Sequence, residues 1–150
     1  MSIKLNEWNF KKIDELDART LHLLLKNRVE VFVVEQACPY QEVDDNDLTC
    51  IHQFLLDDDL NLKAYLRIID TPEVVKFGRV LTSSKYRGTG IGNDLLIQAK
   101  EYAIKHYGKK SIYIEAQTYA IPYYEKHGFK VISDIFLDDD IPHVKMQLDY

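Results

Sequence analysis

The sequence predicts a mixed α+β fold, and three observations carry that prediction. Four strand-like segments precede Arg87-Gly88-Thr89-Gly90-Ile91-Gly92, a glycine-rich loop that opens an amphipathic helix. One strand and a short helix follow, and a pair of strands closes the chain. No clean βαβ unit surrounds the loop, so the order of elements reads as α+β.

Residues 3–8 (Ile-Lys-Leu-Asn-Glu-Trp) alternate apolar and polar, the period of a half-buried first strand. From about Asp17 the spacing turns helical. Leu21, Leu24, Leu25, Arg28, Val29 and Phe32 recur at threes and fours, with Asp17 as the N-cap. Residues 36–49 carry Pro39, several acids and Asn46, the composition of an ordered loop. Residues 51–56 and 63–69 predict a strand hairpin that turns through residues 57–61. After Thr71-Pro72, residues 74–82 predict a fourth strand running into the glycine loop. The next helix places Ile91, Leu95, Leu96, Ala99, Tyr102 and Ala103 on one broad face and ends at Gly108. Residues 111–116 predict a strand and 119–126 a short helix stopped by His127-Gly128. Residues 129–135 and 144–148 predict the last two strands.

The 150 residues suit one domain spanning residues 1–150, and 46% hydrophobic content is enough for a continuous core. With 19 Lys+Arg against 24 Asp+Glu the net charge is −5, so no basic face for nucleic acid or anionic lipid is expected. The acids cluster at Glu42/Asp44/Asp45/Asp47, at Asp57-Asp58-Asp59 and at Asp134/Asp138-Asp139-Asp140. Such runs are solvated loops or an acidic approach for a cationic amine. Cys38 and Cys50 lack metal-ligand or redox spacing, and the histidines are scattered, so no metal is expected. Free thiols and the lack of a secretory leader predict a cytoplasmic protein. No apolar run approaches the ~20 residues of a membrane span.

The glycine loop carries the chemistry. Glycine permits positive φ and close approach, so successive N–H groups can converge on an anion at the start of the following helix. A triphosphate P-loop would end in Gly-Lys-Ser/Thr, but Asn93-Asp94 follows Gly92. A dinucleotide fingerprint counted from Gly88 would need glycine where Asn93 stands. A glycine-rich turn without a ligand is the plain alternative. A second motif follows the fifth strand: Gln117-Thr118-Tyr119-Ala120-Ile121-Pro122-Tyr123-Tyr124-Glu125-Lys126-His127-Gly128-Phe129.

Together these motifs resemble the GNAT superfamily of acyl-CoA N-acyltransferases. That family has Arg-x-x-Gly-x-Gly and, roughly thirty residues later, Asn-x-x-Ala-x-x-Phe/Tyr-Tyr-x-x-x-Gly-Phe. Gln117 stands here in place of the Asn. A narrower resemblance, to the ElaA-like group, rests on residues 24–36 and 38–44, with Asp47, His52, residues 64–68, Gly78-Arg79-Val80 and Ile141-Pro142-His143 extending it.

The resemblance implies a mixed, mostly antiparallel twisted sheet of about six to seven strands, splayed between strands four and five, with flanking helices. It implies acetyl-CoA as co-substrate. The main chain of Val80, Leu81 and Thr82 would contact the pantetheine arm as an added strand would. Backbone donors of Arg87, Gly88, Thr89, Gly90, Ile91 and Gly92 would hold the pyrophosphate, and Gln117 would stand beside the cofactor arm. The reaction needs a neutral amine, an N–H dipole at the developing oxyanion and a proton for the departing thiolate. Tyr124 is the expected proton donor, since a phenol of pKa ~10 can hydrogen-bond or protonate a thiolate. A lysine-like amine is mostly protonated at neutral pH, so Glu35 or His52, through water, is the expected base. Glu42, Glu115 and His143 are further candidates, and His143 could equally line the acceptor mouth. Arg28 and Arg67 either bind an acidic group or brace Glu35 or Asp44.

The expected activity is acetyl transfer to a primary amine, on a small molecule or a peptide, by direct attack on the thioester. The alternative is a non-catalytic acyl-CoA-binding regulatory module. A homodimer is in keeping with the resemblance, and the acceptor stays open.

Overall fold

The computed structural model describes residues 3–150. The chain runs β1 (Asn9–Lys11), α1 (Ala18–Val29), β2 (Ile51–Leu56), β3 (Leu62–Asp70), β4 (Val75–Thr82), α2 (Ile91–Tyr107), β5 (Ile112–Gln117), α3 (Ile121–Glu125), β6 (Lys130–Val131), β7 (Phe136–Asp138) and β8 (Ile141–Leu148). The strands form one sheet in the order β1-β2-β3-β4-β5-β8-β6, with β7 also paired to β8. Every pairing is antiparallel except β4 with β5.

Local chemistry explains most of this. The Asp17 carboxylate accepts from the Thr20 amide at 2.7 Å and starts α1 as its N-cap. A π turn, Glu30–Glu35, extends that helix. Gly108, at φ 72°, ends α2. β3 is buried on both faces. Ala64, Leu66 and Ile68 join Leu95, Leu96 and Ala99 of α2, while Tyr65 joins Leu24 of α1 on the other side. The sheet is therefore a middle layer with α1 on one face and α2 on the other.

Two elements differ from their sequence patterns. The alternating residues 3–8 do not pair as a strand, and β1 begins at Asn9. The Asn9 side chain accepts from Lys4 N–H and donates to the Lys4 and Glu7 carbonyls, and Asn6 takes φ 58°. These bonds fold the segment into a turn. Residues 129–135 do not form one strand either. Lys130–Val131 pair with β8, but the Ser133 hydroxyl then receives the Lys145 N–H at 2.8 Å and interrupts the ladder. Pairing resumes at β7, making an eighth strand where at most seven are expected. Among the described residues no helix is long and apolar enough to cross a membrane.

The parallel pair β4–β5 is held only at Val75–Ile112 and Lys76–Tyr113. Beyond it the strands diverge, leaving the β5-facing edge of β4 unpaired. β4 also bulges: one more residue lies on β4 than on β3 between the pairs Tyr65–Leu81 and Arg67–Gly78. Arg79, at φ 51°, sits in that bulge.

Candidate active site

The opening between β4 and β5 is the floor of a cleft with two compartments. One, about 600 Å³, is lined by Val80, Leu81, Thr82, Arg87, Gly88, Gly92 and Tyr123. The other, about 310 Å³, lies against Arg67, Lys76, Gly78, Tyr113, Glu115 and His143. Phe32, Gln36, Val80, Tyr119, Ala120 and Tyr124 belong to both walls, so the compartments meet at Tyr124.

The glycine loop frames the larger compartment. Gly88 and Gly90 take φ 77° and 86°, the left-handed region that disfavours side chains, and a Cβ at either would meet nothing within 4 Å. Gly90 is the N-cap of α2 and no side chain caps the helix. The unpaired N–H groups of the first turn therefore face the loop, where an anion can take them. Gly92 has the opposite reason for being small: a Cβ there would lie 3.4 Å from the Thr82 hydroxyl and 3.7 Å from the Tyr123 ring. The Tyr123 hydroxyl donates to the Gly92 carbonyl at 2.6 Å, which ties α3 to the start of α2. This cradle of open glycines and uncapped donors fits a pyrophosphate.

Arg87 donates from Nε to the Thr82 carbonyl at 3.1 Å and grips the Glu35 carboxylate with both terminal nitrogens at 2.6 and 3.0 Å. The Arg87 hydrogen bond holds the Glu35 carboxyl below its ordinary pKa. Glu35 thus lines the larger compartment and not the smaller one. Gln117 stands at the end of β5 and donates to the Gln36 side chain at 3.1 Å. The Leu81 side chain is buried in the α1-side core, whereas Val80 and Thr82 are half-buried at the cleft.

Tyr124 is 7% exposed, its ring packing edge-on to Phe129. Burial raises its pKa, so the hydroxyl stays protonated, and among the described residues no protein group hydrogen-bonds it. His52 is elsewhere. It is fully buried on β2, with Nε2 donating to the Asp47 carbonyl at 3.0 Å and Nδ1 therefore accepting from the Tyr65 hydroxyl at 2.6 Å. Burial lowers its pKa and keeps it neutral, and it does not line either compartment. His143 does reach the cleft. Its Nδ1 donates to the Ile141 carbonyl at 2.7 Å, which fixes the tautomer and leaves Nε2 as an acceptor. Glu115 stands nearby on β5 and accepts from Tyr113 at 3.1 Å.

A buried ionic network builds the wall beside the smaller compartment. Arg28, fully buried, binds Glu42 and Asp47, each at 2.7 Å. Arg67 binds Asp44 with both terminal nitrogens, at 2.7 and 2.9 Å, and Asp47 at 3.1 Å. Arg79 reaches Glu42 and stacks over Tyr40, so loop 36–49 is latched to the β4 bulge. Arg28 and Arg67 are thus braces, Arg67 on Asp44 as the sequence allows. Asp47, Cys50 and His52 could in principle ligate a metal, but two arginines hold the Asp47 carboxylate. Burial pushes the Cys50 thiol up to about 12, which keeps it protonated. Sequence reasoning missed Arg79 and the pairing of Glu35 with Arg87. Neither has a local signal, since each depends on residues at least 35 positions away.

Residues 22–150 match the family described as the acetyltransferase (GNAT) domain. The chain belongs to this family and is a GNAT-type acyltransferase, a family that uses acyl-CoA. It is 39% identical to a UPF0039 protein of Schizosaccharomyces pombe over 95% of this chain and 97% of that protein. It is 37% identical to protein ElaA of Escherichia coli over 93% of this chain and 94% of that one. The crystal structure of ElaA matches with a TM-score of 0.90 over 95% of this chain and 99% of that one. An acyl-CoA N-acyltransferase from Pseudomonas aeruginosa, 39% identical, matches with a TM-score of 0.89 over the same shares.

Proposed function

We propose that the protein moves an acetyl group from acetyl-CoA to a primary amine by direct attack on the thioester. The observation that carries this reading is the meeting of the two compartments at Tyr124, beside the free edge of β4. Acetyl-CoA enters the larger compartment. Its pyrophosphate takes the N–H groups of residues 87–92, and its pantetheine amides pair with the main chain of Val80, Leu81 and Thr82. Gln117 flanks the arm. The thioester then lies near Tyr124, and the amine arrives through the smaller compartment.

The amine nitrogen forms the new C–N bond as the C–S bond breaks. Its proton leaves towards Nε2 of His143, directly or through water, and the sulfur departs under a hydrogen bond from the Tyr124 hydroxyl. The products are the N-acetyl amine and the CoA thiolate, which takes a proton from water as His143 returns the amine's proton to solvent, giving the free thiol. The high pKa of Tyr124 favours donating a hydrogen bond over complete proton loss. His52 takes no part in this route, because both its ring nitrogens are occupied in the core.

The test is thiol release from acetyl-CoA against a panel of primary amines, from diamines to amino acids and peptides. Release that depends on one class of amine supports the proposal. Tight CoA binding without turnover on any amine would favour the regulatory module instead.

A further inference from the structure

We infer that Glu35 is a positioning residue for the phosphate end of acyl-CoA, acting through Arg87 rather than taking a proton from the amine. The inference rests on the proposed binding of acyl-CoA in the larger compartment. Glu35 shares that compartment with Arg87, Gly88 and Gly92, whereas Glu115 and His143 belong to the smaller one. Its carboxylate is therefore on the co-substrate side of Tyr124.

The hydrogen bonds define the role. A guanidinium carries five N–H groups. In Arg87 one is held by the Thr82 carbonyl at the end of β4, and two are held by the oxygens of Glu35. One N–H on each terminal nitrogen remains for a phosphate oxygen. Arg87 begins the glycine loop, so a phosphate seated on the loop amides lies within reach of a guanidinium whose orientation is already set. Glu35 is the last residue of the π turn Glu30–Glu35, and the pair joins that turn to the loop across 52 positions of sequence.

Two effects of removing Glu35 oppose each other. Deleting a negative charge near a phosphate favours binding, but the side chains of Glu35 and Arg87 are 42% and 44% exposed, so water screens that repulsion. Losing the fork releases a long side chain that binding must then order again. The second effect dominates, and the net result is weaker binding of phosphate.

The experiment is calorimetric titration of CoA into the full chain and its Glu35→Ala, Arg87→Ala and double variants. The exposed pair contributes little to folding, so the variants are expected to melt as the parent does. Glu35→Ala should weaken CoA about three- to tenfold, and the double variant should bind no more weakly than Arg87→Ala alone. At saturating acetyl-CoA, turnover of the Glu35 variant should match the parent. CoA affinity unchanged or improved in Glu35→Ala would overturn the inference. So would independent, multiplying effects of the two substitutions, or a loss of kcat with CoA affinity intact, which would return Glu35 to the role of base. Failure of the parent to bind CoA would instead strike down the proposed function, and this inference with it.

Discussion

Tyr124 is the residue on which the proposed chemistry turns, because it alone among the ionisable groups of α3 lines both halves of the cleft. Phenylalanine preserves its packing against Phe129 and removes only the hydroxyl. Tyr124→Phe is expected to lower kcat by about 10²-fold while leaving CoA affinity within about twofold. Steady-state kinetics beside direct CoA titration separates the two. His143→Gln keeps a polar side chain but loses the basic Nε2, and is expected to lower kcat by about 10-fold or more with CoA affinity kept. The same pair of measurements checks this. Tyr124 and the glycines are legible in the sequence because their requirements are local: a positive φ, an uncapped helix start, a fixed distance before Gly128-Phe129. Glu35 and His52 are not. Whether a carboxylate or an imidazole faces a cleft or a core is decided by partners far along the chain. Here Arg87 holds Glu35, and Tyr65 with the Asp47 carbonyl holds His52.

At the scale of elements, the wall beside the smaller compartment hangs on α1. Arg28→Ala would leave the Glu42 and Asp47 carboxylates buried with part of their counter-charge gone, which costs about 3–5 kcal/mol. Chemical denaturation should register this as a lowered midpoint. The same region predicts a pH dependence. His52 is held neutral by burial, with its folded pKa below the ordinary histidine value of about 6.5. Its contribution is fully present above that value and is lost as pH falls below it, because the unfolded chain then binds the proton. Stability of the parent should decline on acidification from about pH 6.5, and His52→Gln should decline less there. Gly90→Ala tests the loop: at φ 86° a side chain is strained by about 1 kcal/mol, and the amide cradle shifts with it. The long periodic elements α1, α2 and β2 to β5 are readable because their apolar residues follow one geometry throughout. The edges are not. Residues 3–8 carry a strand pattern that Asn9 diverts into a turn, and Ser133 divides one expected strand into two.

For the molecule as a whole, the fold follows from keeping a single sheet between helices while opening it at one place. α2 buries one face of β3 and α1 the other, and β4, paired to β3 along this two-sided core, carries its free edge away from β5. In the proposed reaction such a cleft would take the extended thioester on one side and the amine on the other. The family assignment rests on residues 22–150 and on relatives that align over most of the chain; the proposed acceptor site rests on the walls of the smaller compartment alone.

The central claim is direct transfer from thioester to amine at Tyr124, and radiolabelled acetyl-CoA tests it most directly. With an accepted amine present, label should appear on the amine in step with free thiol, none should remain on the protein, and Tyr124→Phe should slow both alike. Label retained covalently on the protein, or thiol released at the same rate without any amine, would contradict it.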